Sequence, residues 1–243
     1  MGDQRRVSTD GTRNEPRKKA PARRNPEAGQ GPARKAASSR LEDARSRMYR
    51  DLIFEAAECV FGAKGFEGAT MQQIAAEAGV SLKTVYASYP GKQELYTAIM
   101  LARGRAMYEA VRDAYASTDQ PIERLVRGTR AFVAFLFAHE DWSRIHVRSQ
   151  TSWAIRPAEA GTAELWDLGH RAHVDMLRQG MEAGVFCEDD PDELALMLQT
   201  MTRIQVVHAI ERGEADSEAV ADRLVARLLR LTRNPGVDLR ETG

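Results

Sequence analysis

Cysteine is nearly absent from this 243-residue chain: only Cys59 and Cys187 occur, far apart in sequence. Two isolated thiols exclude a disulfide framework and a cysteine-based metal site, and are most simply reduced. Long apolar runs are missing as well. No uncharged stretch approaches the roughly 18 residues that a membrane helix needs, and the Arg-rich N-terminus lacks the apolar region of a secretory signal. The expectation is a cytoplasmic protein with no membrane partner. Residues 1–40 contain no aromatic residue and a single β-branched aliphatic, Val7. A segment so dominated by Pro, Gly, Ser, Ala and Arg cannot bury enough apolar surface to offset its ordering entropy. It reads as part of a disordered basic arm, placed at residues 1–43.

An excess of charge of either sign is also absent overall, but the zero net charge hides a segregation. Residues 1–40 hold eleven Lys or Arg against Asp3, Asp10, Glu15 and Glu27, so the rest of the chain carries the compensating negative charge. The arm is either a solvated leader or an electrostatic aid to nucleic-acid binding through counterion release.

From about residue 44 the chain reads as helix throughout. Ile53, Ala57, Val60 and Phe61 recur at i, i+4, i+7 and i+8, the stripe of an amphipathic helix. Gly62 and Gly65 mark its end. Thr70 caps the next helix, with Gln73 completing a capping box. Its inner face is Ile74, Ala75 and Ala78, and Gly79 closes it. Ser81 caps a short third helix carrying Val85, Tyr86 and Tyr89, and Pro90-Gly91 stops it. A long fourth helix is expected over about residues 92–116. Further helices are expected over about 121–139, 140–150, 158–183, 191–211 and 216–232, the penultimate one introduced by Asp190-Pro191. The fold class is all-α, with no fixed repeat.

Two short helices joined around a glycine form the helix-turn-helix pattern. "TMQQIAAEAGVSLKTVYASY", residues 70–89, supplies helix, turn and helix. Val85 anchors the second helix inward, leaving Ser81, Lys83, Thr84, Tyr86 and Tyr89 on its start and outer side. Hydroxyls, a lysine and tyrosine OH groups suit phosphates and groove edges, and a helix N-terminus favours an anion. Each residue also has a plainer role: Thr70 and Ser81 cap, the tyrosines pack, Lys83 is solvated.

At this point the sequence resembles a family. Ile53…Ala56-Ala57…Phe61…Gly65-Phe66…Thr70, then Ile74-Ala75…Ala78-Gly79-Val80-Ser81, then Thr84-Val85-Tyr86…Tyr89…Lys92…Leu95 look like the DNA-binding domain of the TetR (tetracycline-repressor type) regulators. Lys83 and Tyr89 stand where members often have Gly and Phe. The resemblance implies contacts to double-stranded operator DNA from Thr70, Ser81, Lys83, Thr84, Tyr86, Tyr89 and Lys92. It also implies a helix-turn-helix domain over residues 44–92, a helical effector-binding and dimerisation domain over residues 93–234, and a flexible tail at 235–243. The partners implied are operator DNA, a second copy of the chain, and an unknown small-molecule effector.

All three tryptophans fall in the second region. Trp142, Trp153 and Trp166, with Phe132, Phe135, Phe137, His139 and His146, are candidates for lining an effector pocket or for ordinary core. Leu194, Leu198, Met201, Gln205 and His208, with Leu224, Leu228 and Leu231, are candidates for a dimer interface or for the chain's own core. His170 and His173, at i, i+3, lack further ligands for a metal, and no cofactor is implied. The function expected is a ligand-responsive transcriptional regulator, a repressor that its effector releases. The alternative is an effector-independent architectural DNA-binding protein. No nucleophile–base pair, phosphate loop or metal set supports an enzyme.

Overall fold

Regular structure among the described residues, 32–148 and 160–234 of the computed structural model, consists of nine helices and one isolated bridge, between Phe186 and Arg233. In chain order they are α1 (Pro32–Gly68), α2 (Met71–Glu77), α3 (Leu82–Ser88), α4 (Lys92–Ala116), α5 (Pro121–Ala138), α6 (Glu140–Arg148), α7 (Ala160–Glu182), α8 (Pro191–Glu211) and α9 (Ser217–Thr232). The all-α expectation holds. Residues 1–44 form one unit and residues 45–243 another.

The start of α1 departs from the sequence reading. Residues 32–43, expected within a disordered arm, are helical. Pro32 fits a first turn, and Ala, Arg, Lys and Leu then follow densely, all good helix formers. Low hydrophobicity prevents such a segment from being buried, not from being helical, and residues 36–47 are indeed exposed. The rest of the arm and the C-terminal tail lie outside the described residues. Near its other end α1 breaks at Gly65, whose φ of 72° and ψ of 171° only glycine adopts without strain.

From Ile53 onward the apolar positions of α1 turn inward. Ile53, Ala57, Phe61, Ile74, Val85, Leu95 and Ile99 are buried together, so α1–α3 and the head of α4 share one core. That core does not stop at the helix-turn-helix. It runs on through Val133, Leu136, Trp142 and Ile145 of α5 and α6 to Val206, Ala209 and Ile210 of α8 and Val220 and Leu224 of α9. A second core gathers Leu125, Val174, Leu177, Met181, Phe186, Leu194, Leu198 and Leu228 at the far end of the helical domain. There the ring of Phe186 sits in the notch left by Gly180, where a Cβ would lie 2.0 Å from it.

Two contacts pin the first helix to the later ones. Gly62 of α1 lies against the backbone of Asp141 on α6, with only 2.7 Å to the Asp141 carbonyl oxygen from where a Cβ would stand. Glu58 of α1, 6% exposed, accepts from Arg103 of α4 at both carboxylate oxygens: Nε at 3.1 and 3.0 Å, Nη2 at 2.7 Å. Removing one member of such a buried pair leaves an uncompensated charge. Arg103→Ala is therefore expected to lower the unfolding free energy by about 3 kcal/mol in a urea titration. Arg103→Lys recovers only part of that, because a lysine cannot reproduce the forked contact.

Candidate nucleic-acid interface and regulatory domain

The helix-turn-helix is built by local hydrogen bonds. Thr70 caps α2: its Oγ1 accepts from Gln73 N at 3.3 Å, and Gln73 Oε1 accepts from Thr70 N at 3.1 Å, a complete capping box. Gly79, at φ 65°, turns the chain, and Val80 N donates back to Ala75 O at 3.0 Å. Ser81 then caps α3, its Oγ accepting from Thr84 N at 3.1 Å and lying 2.8 Å from Thr84 Oγ1. Val85 is fully buried, with Ala78, Val80 and Leu82 packed on the same core.

This anchoring decides which side of α3 faces out. Lys83 and Tyr86 stand toward solvent, Tyr86 at 49% exposure and Lys83 less openly. Tyr89 is half-buried, and burial pushes its phenol pKa up. Thr70, Ser81 and Thr84 are exposed, but the first two are already occupied as caps and Thr84 leans on the Ser81 hydroxyl. Lys92 differs from its expected place. Its ammonium donates to the carbonyls of Phe66, at 2.7 Å, and Ala69, at 3.2 Å, and stands 4.3 Å over the Phe66 ring. It therefore satisfies carbonyls just beyond the Gly65 break and fixes the start of α4, rather than standing free as a phosphate cation.

The helical domain redistributes the other candidates. Phe135, His139 and Trp142 come together: the Phe135 ring is 4.4 Å from His139 and 5.8 Å, edge to face, from Trp142. Phe132 and Phe135 pack on the first core, of which Trp142 is a member at only 2% exposure. These residues are filling at the junction of α5 and α6, not the wall of an open chamber. Trp166 is elsewhere, stacked on His170 of the same helix at 4.7 Å. The His146 side chain and Trp153 lie outside the described residues. His170 itself bridges to α8, with Nε2 at 3.0 Å from Asp192 and Nδ1 at 3.2 Å from Gln199. His173 faces Tyr115 of α4 instead, so the two histidines diverge.

The expected dimer stripe needs correcting too. Leu194, Leu198, Leu224 and Leu228 are each at most 5% exposed within the single chain. Met201 packs on the second core, and the Gln205 amide oxygen accepts from Arg227 of α9. Only Leu231, at 51%, stands out. The apolar residues of α8 left uncovered belong to the opposite stripe: Met197 at 50% and Ile204 at 61%, which with Leu196 and Thr200 line a shallow hollow. The α8 sequence carries both stripes, and periodicity alone does not say which one faces the core.

Sequence reasoning missed three polar features. The Glu58–Arg103 pair spans 45 residues of sequence, with no local signal. Arg203 of α8 is half-buried without an ion pair among the described residues, and burial lowers its pKa. Burial likewise depresses His173 to about 4, with a smaller contribution from His170, and it depresses His139, helped by Arg103 and opposed by Glu58.

Comparison with known proteins agrees with this architecture. Residues 53–99 match the family model described as bacterial regulatory proteins, tetR family. The chain is 27% identical over 187 residues to the A-factor receptor protein of Streptomyces griseus, spanning 76% of this chain and 64% of that one. It is 24% identical over 181 residues to the HTH-type transcriptional repressor KstR2 of Mycobacterium tuberculosis, 74% of this chain and 90% of that one. The solved structure of the ketosteroid transcriptional regulator KstR2 shares the fold, with a TM-score of 0.68 at 23% identity over 76% of this chain and 95% of that one. So does the fatty acid degradation regulator FadR from Bacillus halodurans, with a TM-score of 0.62 at 19% identity over 74% and 94%.

The buried histidine sets a pH dependence. A folded-state pKa near 4 against an unfolded value near 6.5 means that the unfolded chain binds the proton first as the pH falls. The stability associated with neutral His173 is fully present above pH 6.5 and is lost toward pH 4, about 3 kcal/mol in all. Urea titrations at pH 7 and pH 4.5 check this: His173→Phe is expected to lose distinctly less stability between them than the natural chain.

Capped helices around a Gly79 turn, an outward α3 carrying Lys83 and Tyr86, and the match over residues 53–99 together place this chain in the tetR family of bacterial regulatory proteins, as a DNA-binding transcriptional regulator.

Proposed function

We propose that the chain is a cytoplasmic homodimeric repressor that holds operator DNA through α3 and is released when a small apolar effector enters its helical domain. The observation that carries the DNA reading is the outer side of α3, where Lys83 and Tyr86 point away from the core on a helix held rigidly by Val85 and the Ser81 cap. Lys83 and Tyr86 make the contacts that reach furthest into the groove. Ser81, Thr84, Tyr89 and Thr70 hold phosphates at the helix starts and flanks. Lys92 acts indirectly by keeping α4 seated against the α1–α2 connection.

One head reads too few base pairs for useful specificity, so a second copy is required, its α3 one helical turn of DNA away, roughly 34 Å. The exposed face of α8, with Leu196, Met197, Thr200 and Ile204, is the surface we assign to it. The relatives named for ketosteroids and fatty acids support an apolar effector class for this chain. Release works as a population shift: effector in the helical domain favours a separation of the heads that no longer fits both half-sites.

Two measurements test the reading. Fragments selected from genomic DNA by the purified protein define its operator, and Lys83→Ala with Tyr86→Ala should then weaken binding to it by about 100-fold while the variant stays folded and dimeric. Near-natural affinity would sink the assignment of α3. For the dimer, Met197→Glu with Ile204→Glu should give a monomer in sedimentation and lose cooperative operator binding. A dimer that persists would place the second copy elsewhere.

A further inference from the structure

Inside the helical domain, among the described residues, a buried ring nitrogen is left without a partner. His173 of α7 has its Nδ1 3.2 Å from the hydroxyl of Tyr115 on α4, while its Nε2 is fully buried and meets no hydrogen-bonding group. Burial keeps the imidazole neutral at physiological pH, so it carries one N–H, and burial also holds the Tyr115 phenol protonated. Only one assignment of hydrogens leaves a single group unsatisfied. Tyr115 donates its proton to Nδ1, and the imidazole hydrogen sits on Nε2. The reverse tautomer would strand both the Tyr115 proton and the Nε2 lone pair. The pair is also held in place: Tyr115 is seated against Gly128 of α5, where a Cβ would come within 2.1 Å of its ring. A buried N–H with no acceptor costs free energy that a folded chain normally avoids.

The surroundings suit an apolar guest. α4 runs for 25 residues but buries only Leu95 and Ile99 fully. Further along, its side toward α7 is only half covered: Leu101 lies at Gly161, Leu165 of α7 at Gly104, and Tyr108 at Gly169, each leucine and tyrosine half-buried. The seam from Leu101 to Tyr115 is therefore apolar and incompletely covered, with the His173 N–H at its end.

We propose that this seam is the effector site and that its ligand is an apolar molecule bearing a carbonyl oxygen, which accepts the His173 Nε2–H. This deepens the effector reading above and rests on it. An acceptor, not a cation or a hydroxyl donor, is what the Tyr115–His173 arrangement lacks. The oxygen's position fixes the ligand's orientation, and its apolar body lies along α4 and α7.

The test uses the full chain and two probes of nearly the same shape, 2-nonanone and 2-methyl-1-nonene, which replaces the carbonyl oxygen by a methylene. Binding is followed by thermal shift and tryptophan fluorescence. The ketone is expected to bind at least about tenfold tighter than the alkene. That preference should vanish in a Tyr115→Phe/His173→Phe variant, which removes both partners together. The same variant without probe should melt about 2–4 °C higher than the natural protein, because the orphan N–H is gone. A purely structural pair predicts the opposite sign. Equal binding of the two probes, no binding of either, a ketone preference that survives in the variant, or a variant that melts lower because a water normally serves Nε2 would each overturn the proposal. Operator binding by the natural protein without probe is measured alongside: its loss counts against the regulator reading, whereas the probe ratio counts only for or against this site.

Discussion

The ion pair between Glu58 and Arg103 joins the DNA-reading part of the chain to the regulatory part. Glu58 lies on α1, whose inner face is the floor of the helix-turn-helix; Arg103 lies on α4, the first helix of the regulatory region. The carboxylate is almost fully removed from water, and the guanidinium also covers the Phe54 ring at 5.3 Å. A buried pair is weak evidence for stability, since an apolar replacement of the same volume often does as well. Its consequence is geometric. Three hydrogen bonds between two rigid helices tolerate little sliding, so a displacement of α4 must either carry α1 along or break the pair. The close approach of Gly62 to the Asp141 backbone imposes a similar condition on α6.

The distribution of apolar burial reinforces this. The first core is not confined to α1–α3; it continues through Leu95, Ile99 and Trp142 into α8 and α9. Packed interiors respond to a shift by changing arrangement as a unit rather than deforming locally. A regulatory region joined to its head by continuous core and a buried ion pair moves that head as a rigid body. A head tethered by an open linker would not transmit anything. The Lys92 ammonium on the Phe66 and Ala69 carbonyls tightens the same joint from the other side of the helix-turn-helix.

The head is legible in the sequence because its determinants are local. A capping box spans three residues, a left-handed Gly79 needs no partner, and the Ser81 cap acts on its own helix. The contiguous motif from Ile53 to Leu95 makes the family visible as well. The regulatory region is legible only as helices. Leu194 and Leu198 are as good a sequence candidate for an interface as Met197 and Ile204, and only the packing of α8 on α7 and α9 separates them. The ring of Trp142 suits a pocket, but its neighbours, Phe135 and the α6 turn, make it core. Lys92 resembles a phosphate ligand in sequence because its partners are main-chain carbonyls, which no side-chain pattern announces. In each case the missing information is tertiary: which of two amphipathic stripes a neighbour covers, and which carbonyls a helix break leaves open.

The polar groups of the regulatory region share one logic when taken together. Most find partners across helices or loops: His170 with Asp192 and Gln199, Arg130 with Glu218 and Asp222, Arg124 with Thr118, Gln179 and Asp119. These cross-links lie where α5, α7, α8 and α9 meet and fix those helices to one another. Along α4 facing α7 the pattern stops, and the cross-link there, Tyr115 to His173, is left one acceptor short. A domain that satisfies its polar atoms across its other helix pairs and leaves this seam apolar and unsatisfied has a preferred place to accept something from outside. Because that seam is made by α4, whatever fills it presses on the helix that Arg103 fastens to the DNA-reading head.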